Sequence, residues 1–420
     1  MKKQYDVLVA GGGFTGVAAA VSAARKGKSV LLVERAGCLG GAATNNLVLP
    51  FMGYWTQKDG EKLMISAGLF GEMVDEMAAA GRMDETKKYF DTEYLKVYFD
   101  RLVAASGADV LLSSTVVSAK KEGDRITGVS LYTKEGIIEV AADIFIDATG
   151  DAELAAISGV PCETGRKKDG LCQPMTLCFR MCNVDTEAFY NVSREQLNSI
   201  YRSYQQDGRI SDPREDVLWF RTLLPGVVHF NTTRVIRKDP TGAADVTAAE
   251  IEAREQTQEI VKMLIESVPG FEHAALMQTA PQIGVRESRR VIGRHMLTQE
   301  ELKACTVFDD SIAVGRYDID IHDPDGAGTS HYYFEAGTYY TIPYASLLPK
   351  SGGENLIVAG RCISATHEAQ ASIRIMPICC CLGEAAGTAA ALAAEGGVNP
   401  PDIDIRALQT ALEKNGAKVR

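Results

Sequence analysis

Apolar runs and amphipathic stretches alternate at both ends of the chain. Near the amino terminus, the apolar run at residues 5–10 leads through glycines into a helical pattern, and a second apolar run follows at residues 29–33. Near the other end, the apolar run at residues 356–359 is followed by a helical pattern with Pro377 in its first turn. Buried strands that are separated by helices are typical of a parallel sheet. We predict that both ends belong to one doubly wound α/β domain.

Between about residues 163 and 350 the pattern changes to a mixture of strands and helices. Strand-like stretches cover residues 174–181, 227–235, 316–322 and 339–344, and two helices carry capping-box pairs, Ser193 with Gln196 and Thr247 with Glu250. The 420 residues exceed the roughly 250–300 of a single core. We therefore expect an α+β domain at residues 163–350, inserted into a discontinuous domain of residues 1–162 and 351–420.

Three glycines follow the first apolar run in the spacing Gly11-x-Gly13-x-x-Gly16. Gly11 permits a tight turn, Gly13 lets the backbone approach a pyrophosphate, and Gly16 lets the helix lie close to the strand. Glu34 ends the second run, where a carboxylate can accept hydrogen bonds from an adenosine ribose. This order of elements predicts a dinucleotide site, but NAD and FAD sites share it.

Further turns follow predicted strands. The pair Gly40-Gly41 comes soon after the second strand, residues 148–151 follow a strand at residues 144–146, and Gly360-Arg361 follows the strand at residues 356–359. In a doubly wound sheet, turns at the carboxyl ends of strands lie along the cofactor crevice. We expect these turns to line one extended cofactor site.

With these segments assembled, the chain resembles FAD-dependent oxidoreductases of the glutathione-reductase-like fold, a broad group distantly related to fumarate reductase and succinate dehydrogenase flavoproteins. The resemblance covers most of the chain and includes "CLGGAAT", "FIDATGD", "PQIGVRESRRVIG" and "NLIVAGRCISATHEAQASIRIMP". It implies a Rossmann-like FAD-binding domain with an inserted α+β substrate domain.

The resemblance also implies residue roles. Glu34 would hold the adenosine ribose, residues 40–44 would follow the pyrophosphate and ribitol, and Val116 would lie by the adenine. The helix after Pro377 would direct its amino terminus at the pyrimidine end of the flavin, where it stabilises negative charge. The residues expected to bind FAD are Gly11, Gly13, Phe14, Thr15, Gly16, Glu34, Arg35, Gly40, Gly41, Ala42, Thr44, Val116, Ala148, Thr149, Gly150, Asp151, Gly360, Arg361, Ser372, Ile375 and Met376.

Two departures from related proteins argue against covalent flavin attachment and against disulfide reduction. Relatives that attach the flavin covalently have a histidine before the glycine pair, whereas this chain has Cys38 and Leu39. We therefore predict non-covalent FAD. Disulfide reductases of this fold need two thiols in CxxC or CxxxxC spacing, and neither spacing occurs among the ten cysteines.

Arginines cluster in the segment "GVRESRRVIGRH", around Glu287. In one interpretation, Glu287 pairs with neighbouring arginines and fixes the inserted domain. In the other, Arg286 projects into the cavity and orients a carboxylate or polarises a carbonyl. The resemblance favours a position of Arg286 near the flavin.

Two histidines are candidates for proton transfer. His322 alternates with Asp318 and Asp320 on one face of a predicted strand. A calcium loop needs a glutamate at its position twelve, but counting from Asp318 or Asp320 reaches Thr329 or His331. We therefore expect no metal there. We expect a hydrogen-bonding or proton-transfer role for His322, with a solvated strand edge as the alternative. His367 precedes the flavin-facing helix and is either a general acid/base or a histidine tied to backbone carbonyls. Arg374, close by, completes the catalytic candidates.

Three adjacent cysteines, Cys379 to Cys381, lie in the first turns of the last long helical pattern. Gly383, Gly387 and Ala391 recur there at four-residue spacing, which is typical of a helix in close contact with a neighbour. We therefore interpret the thiols as small packing residues, with one reactive thiol as the alternative.

Charge and composition restrict the partners. The chain has 44 basic and 55 acidic residues, a net charge of -11, which argues against bulk binding to nucleic acid or an anionic membrane. We read no signal peptide and no membrane span, and ten cysteines in such a chain are expected to be reduced, so we expect a cytoplasmic protein.

We predict an FAD-dependent oxidoreductase that transfers a hydride between flavin N5 and a small polar metabolite, hydroxylated or carboxylated. Arg286, His322, His367 and Arg374 are the candidates for orientation and proton transfer. The alternative is an electron-transferring flavoprotein subunit that works only with a redox partner protein. The substrate, the electron partner, the direction of the reaction and the oligomeric state, including a homo-oligomer, stay open.

Overall fold

The structure is a computed structural model that describes residues 2–420. Its strands are β1 (Gln4–Ala10), β2 (Val30–Val33), β3 (Trp55–Lys58), β4 (Glu61–Met64), β5 (Asp109–Leu111), β6 (Thr115–Glu122), β7 (Arg125–Thr133), β8 (Gly136–Asp147), β9 (Cys162–Thr164), β10 (Phe179–Cys182), β11 (Trp219–Arg221), β12 (Val228–Phe230), β13 (Ala275–Thr279), β14 (Arg289–Val291), β15 (Ser311–Gly315), β16 (Ile319–His322), β17 (Thr329–Tyr332), β18 (Tyr340–Pro343) and β19 (Leu356–Val358). Its α-helices are α1 (Phe14–Arg25), α2 (Leu69–Ala79), α3 (Thr92–Ser106), α4 (Glu153–Ile157), α5 (Thr186–Tyr190), α6 (Arg194–Gln206), α7 (Ala243–Ser267), α8 (Gln299–Lys303), α9 (His367–Ile373), α10 (Met376–Gly396) and α11 (Ile405–Lys414).

The central sheet has the strand order β5-β2-β1-β8-β7-β6, and β19 pairs with β8. β1 runs parallel to β2 and β8, and β19 runs parallel to β8, so the first and last parts of the chain form one sheet. Every residue of β2 is buried, as expected for a parallel strand covered on both faces. The predicted Rossmann-like α/β architecture is confirmed.

Helices α1 and α10 pack against each other through small residues. A Cβ atom on Gly383 would collide with the carbonyl oxygen of Thr15, and one on Gly387 would collide with that of Ala19. The small-residue face predicted for α10 is therefore a close helix contact. By length and hydropathy α10 could cross a membrane, but 94% of the apolar window is buried within the protein, as in a core helix.

The cap consists of a second sheet with the order β11-β12-β10-β13 and of α6 and α7. Phe179, Tyr201, Phe230, Ile260 and Phe271 are fully buried in its own hydrophobic core. Strands β15 and β18 contribute instead to the large core that contains β1 and α10. The boundaries at residues 163 and 350 stay a prediction.

The strand stretches predicted in the inserted segment overlap β10 and contain β12, β16 and β18. The capping box of Ser193 and Gln196 is confirmed at the start of α6. The Thr247 prediction is wrong, because α7 begins at Ala243, and the Thr247 hydroxyl donates to the Ala243 carbonyl inside the helix. The Glu250 carboxylate instead accepts the backbone N–H of Ile283 at 2.7 Å, so a contact distant in sequence takes the place of the local cap.

Candidate functional site

A cavity of about 610 Å³ lies where the cap meets the carboxyl ends of the central strands. Gly11, Ala148 and Gly360, which follow β1, β8 and β19, contribute one side of it. The amino termini of α1 and α10 also line it, and the cap contributes residues such as Phe220 and Asn231. This is the edge of a doubly wound sheet where ligands bind.

Most residues that the sequence analysis assigned to FAD line this cavity. They are Gly11, Gly13, Phe14, Thr15, Glu34, Arg35, Gly41, Ala42, Ala148, Thr149, Gly150, Asp151, Gly360, Arg361, Ile375 and Met376. Their contacts with FAD remain predictions, but the structure brings them together on one surface.

Five assigned residues lie behind that surface. A Cβ atom on Gly16 would collide with the Gly11 carbonyl, and the Thr44 side chain fills the space beside Gly40 while its hydroxyl donates to the Leu39 carbonyl. Val116 is buried in a second core, and the Ser372 hydroxyl is bonded to residues 317 and 340. Gly16 and Gly40 allow the close backbone approaches beside the cavity.

The turn after β1 has the features of a nucleotide site. Gly11 has φ +97°, a conformation that favours glycine. The Glu34 carboxylate accepts the backbone N–H groups of Gly12 and Ala36, at 2.5 and 2.7 Å. Within the described residues, Gly13 at the start of α1 provides no side-chain cap, so the first N–H groups of that helix stay available to a phosphate. These residues fit FAD.

A carboxylate in the turn after β8 joins the central domain to the segment that carries Arg286. Asp151 accepts hydrogen bonds from the Ser288 hydroxyl and from Arg361, both at 2.6 Å. Arg361 also donates to the Val285 carbonyl at 2.8 Å. The segment that carries Arg286 is therefore anchored directly to the predicted FAD-binding turn.

Arg286 lines the cavity and bonds only to neutral acceptors among the described residues. Its Nη1 donates to the Pro174 carbonyl at 2.7 Å and to the Thr176 hydroxyl at 2.5 Å. Burial, together with the positive charges of Arg374, Arg214 and Arg234, lowers the pKa of Arg286 to about 9. An anion at this place would relieve that repulsion.

The Asp320 carboxylate lies within 3.5 Å of four other side chains. Its Oδ2 accepts from the Tyr317 hydroxyl at 3.0 Å and lies 3.3 Å from His322 Nε2 and 3.4 Å from Arg374 Nη2. Its Oδ1 lies 3.5 Å from His331 Nδ1. Burial alone would raise the pKa of Asp320, but the His322 hydrogen bond and the nearby charges outweigh it and lower the pKa well below its usual range. Asp320 is therefore an anion.

His322 lines the cavity, but both ring nitrogens are occupied. Arg234 donates to Nδ1 at 2.9 Å, and since arginine has no acceptor, the ring proton must be on Nε2, which faces Asp320. Burial and the charge of Arg286 lower the pKa of His322, which keeps the ring neutral. Proton transfer to a ligand would require His322 to give up one of these partners.

His367 is absent from the cavity lining formed by residues 2–420. Its Nδ1 lies 2.8 Å from the fully buried carboxylate of Glu287, which also pairs with Arg290 and accepts the Gln173 N–H at 2.9 Å. These contacts support the structural interpretation of Glu287 and tie His367 to a carboxylate rather than to backbone carbonyls. Arg374, by contrast, lines the cavity beside Asp320.

Two cavity residues were missed by the sequence analysis. His331 on β17 is the register partner of Asp320 on β16, and its side chain is 37% exposed. Arg214 comes from an irregular loop of the cap between α6 and β11. The strand pattern around Asp320 could have indicated a hairpin partner, whereas no local signal marks Arg214.

The three adjacent cysteines are free and buried at the start of α10. Cys380 and Cys381 belong to the large core, and Cys379 also borders the cavity. Burial raises the pKa of Cys379 and of Cys381 to about 12, which favours the thiol over the reactive thiolate. The packing interpretation agrees with these contacts.

Comparison with known proteins gives matches to a reductase and to an oxidoreductase. Digeranylgeranylglycerophospholipid reductase of Picrophilus torridus is 28% identical over 204 residues, which are 45% of this chain and 50% of that protein. NADH:fumarate oxidoreductase of Klebsiella pneumoniae is 29% identical over 189 residues, 35% of this chain and 20% of that protein. The chain thus spans half or less of the length of these two relatives.

Solved structures that are similar to this chain have lower sequence identity to it than these two relatives have. A geranylgeranyl bacteriochlorophyll reductase-like protein of Thermoplasma acidophilum has a TM-score of 0.47 and 15% identity, with 98% of this chain and 83% of that chain covered. The p-nitrophenol 4-monooxygenase of Pseudomonas putida has a TM-score of 0.44 and 10% identity, with 100% and 82% covered.

A family model also matches nearly the whole chain. The profile of the family described as FAD dependent oxidoreductase matches residues 6–412. The chain therefore belongs to the FAD dependent oxidoreductase family, and its cofactor is FAD.

Proposed function

We propose that the protein transfers a hydride between flavin N5 and a small polar metabolite, and that Arg286 orients a carboxylate of this metabolite. FAD supplies the hydride chemistry, while the protein supplies binding, orientation and proton transfer. The observation that carries the proposal is the enclosed guanidinium of Arg286, which has only neutral partners within residues 2–420.

The electrostatic cost of this arrangement supports an anionic ligand. A cation removed from water is unfavourable unless an opposite charge or strong hydrogen bonds replace the lost hydration. Arg374 is balanced by Asp320, whereas Arg286 faces a carbonyl, a hydroxyl and, at 3.5 Å, the Asn231 amide oxygen. A substrate carboxylate would supply the missing charge and two acceptors for the guanidinium fork.

We assign proton transfer to His331 rather than to His322 or His367. His322 has both nitrogens engaged, and His367 is bound to Glu287 behind the cavity. His331 borders the cavity, keeps contact with solvent and lies next to the anionic Asp320, which can hold its ring in position. Asp320 is then the positioning residue of this pair.

The test is anaerobic titration of the purified holoprotein, followed by flavin absorbance. Oxidised protein is titrated with small hydroxycarboxylates, and dithionite-reduced protein with oxo- and unsaturated carboxylates. We expect at least one acid to change the flavin redox state while its neutral amide does not. Arg286→Gln should weaken the response about 10- to 100-fold, the loss of a charged hydrogen-bonded contact.

The matched control is Arg202→Gln, which removes an exposed arginine from the same cap. It should leave the response unchanged. Equal responses to the acid and its amide would contradict the role of Arg286. If no metabolite changes the flavin of a protein that dithionite reduces, the partner-dependent alternative replaces the proposal.

A further inference from the structure

Arg214 places a second guanidinium at the cavity. The residue is only 5% exposed and borders the cavity, and its Nη1 has no hydrogen-bond partner in the part of the chain that the structure describes. A buried donor without a partner carries a desolvation cost of roughly 1–3 kcal/mol, more for a charged group. The residue that carries this donor borders the cavity, where an anionic ligand would offset its charge.

The rest of Arg214 is held firmly. Its Nε donates to the Asp216 carbonyl at 3.1 Å and to Asp216 Oδ1 at 3.0 Å. Its backbone N–H donates to Asp212 at 3.1 Å, and its carbonyl accepts from Gln205 at 2.9 Å. Asp212 is in turn bonded to the Tyr201 hydroxyl in the cap core, at 2.8 Å. The free Nη1 is therefore preorganised and does not belong to a mobile side chain.

The charges around Arg214 do not cancel. Arg194 at the cavity mouth also pairs with Asp216, so two guanidinium groups share one carboxylate. Glu215 is exposed, where water and salt screen its charge. Arg286 has no carboxylate partner among residues 2–420, and Arg214 shares its side-chain partner Asp216 with the largely exposed Arg194.

We propose that Arg214 binds an oxyanion of the substrate in addition to the carboxylate at Arg286, so that the preferred ligand carries two negative charges. The oxyanion is a carboxylate or a phosphate-type group, because both present oxygens to a guanidinium fork. The inference rests on the proposed function only in calling the ligand a substrate. Binding of an anion at Arg214 does not depend on any redox reaction.

The experiment is isothermal titration calorimetry on the oxidised holoprotein. Butyrate is the monoanionic probe, succinate and glutarate are the dicarboxylate probes, and 3-phosphonopropionate is the phosphonate probe. We expect at least one dianionic probe to bind 10-fold or more tightly than butyrate. The comparison of glutarate with 3-phosphonopropionate distinguishes a carboxylate subsite from a phosphate subsite.

Variants identify the residue responsible. Arg214→Gln should reduce the ratio of dianion affinity to butyrate affinity to about 1, Arg214→Lys should restore part of this ratio, and Arg202→Gln should match the wild type. The proposal is overturned if butyrate and the dianions bind equally, if none of the probes binds, or if Arg214→Gln keeps the preference. Binding of dianions without any flavin redox change would refute the proposed function alone, since calorimetry requires no reaction.

Discussion

Glu384 offers a quantitative test of how the core is built. This α10 residue is 2% exposed, and its Oε2 accepts the backbone N–H of Leu69, the first residue of α2, at 2.9 Å. Because Gly68 provides no side-chain cap among the described residues, Glu384 caps α2 from another helix. Burial, and secondarily the charge of Glu72, raise the pKa of Glu384 to about 7, although the Leu69 hydrogen bond and Arg25 oppose this.

The size of the effect follows from linkage between protonation and folding. One pKa unit corresponds to about 1.4 kcal/mol, so a rise from the ordinary value of 4.5 to about 7 makes about 3 kcal/mol of stability depend on pH. Above pH 4.5 the unfolded chain releases a proton that the folded protein keeps. The contribution of Glu384 is therefore fully present below pH 4.5, falls as the pH rises to about 7, and is lost above it.

Glu384→Gln removes the ionisation but keeps an oxygen that can accept from Leu69. We expect the free energy of unfolding of the variant, relative to wild type, to increase by up to about 3 kcal/mol between pH 4.5 and pH 8. Urea unfolding at several pH values, in a fixed excess of FAD, measures this difference. Glu395→Gln, an exposed change on the same helix, is the control and should show no trend. A difference between Glu384→Gln and wild type that is constant with pH would refute the reasoning.

Three further predictions concern α10 and the cofactor. Gly383→Ala should lower the free energy of unfolding, measured in urea, by about 1–3 kcal/mol, because its Cβ would meet the Thr15 carbonyl. Gly396→Ala is the control and should cause no such loss, because its Cβ would make only ordinary contacts. Equal effects of the two changes would disprove the packing argument. Acid precipitation should release the yellow flavin into the supernatant, and colour retained in the pellet would show covalent attachment. Iodoacetamide should label Cys379 and its two neighbours more slowly than the less buried Cys182, as read by mass spectrometry, and the reverse order would reveal a reactive thiol.

The predicted features that the structure bears out are those with local physical causes. The glycines at positions 11 and 16 are required by the backbone of a single turn, and the small face of α10 follows from its own periodicity. The capping box at Ser193 is likewise closed within four residues. Sequence patterns report such features because the atoms that decide them are neighbours along the chain.

Contacts between distant segments could not be predicted in this way. Thr247 and Glu250 form a valid local pattern, but Glu250 is used by the backbone of Ile283. His331 reaches Asp320 through the pairing of two strands, and Arg214 reaches the cavity through a loop fixed by Asp212 and Asp216. Their roles depend on register and on tertiary packing, which no spacing in the sequence encodes.

The segment at residues 285–288 shows why the two interpretations of the arginine cluster are compatible. The Val285 carbonyl is held by Arg361, and the Ser288 hydroxyl donates to Asp151, so both ends of the segment are tied to turns that are predicted to bind FAD. Between them, Glu287 points into the buried network with His367 and Arg290, as the structural interpretation requires.

Arg286, the neighbour of Glu287, lines the cavity, whereas Glu287 is absent from the lining formed by residues 2–420. The ion pairs around Glu287 therefore do not compete with a role for Arg286 in substrate binding; they fix the backbone from which Arg286 extends. The position of its guanidinium in the cavity then depends on residues that do not themselves line the cavity formed by residues 2–420. A structural network and a binding residue occupy adjacent positions, and the rigidity of the first gives the second its precision.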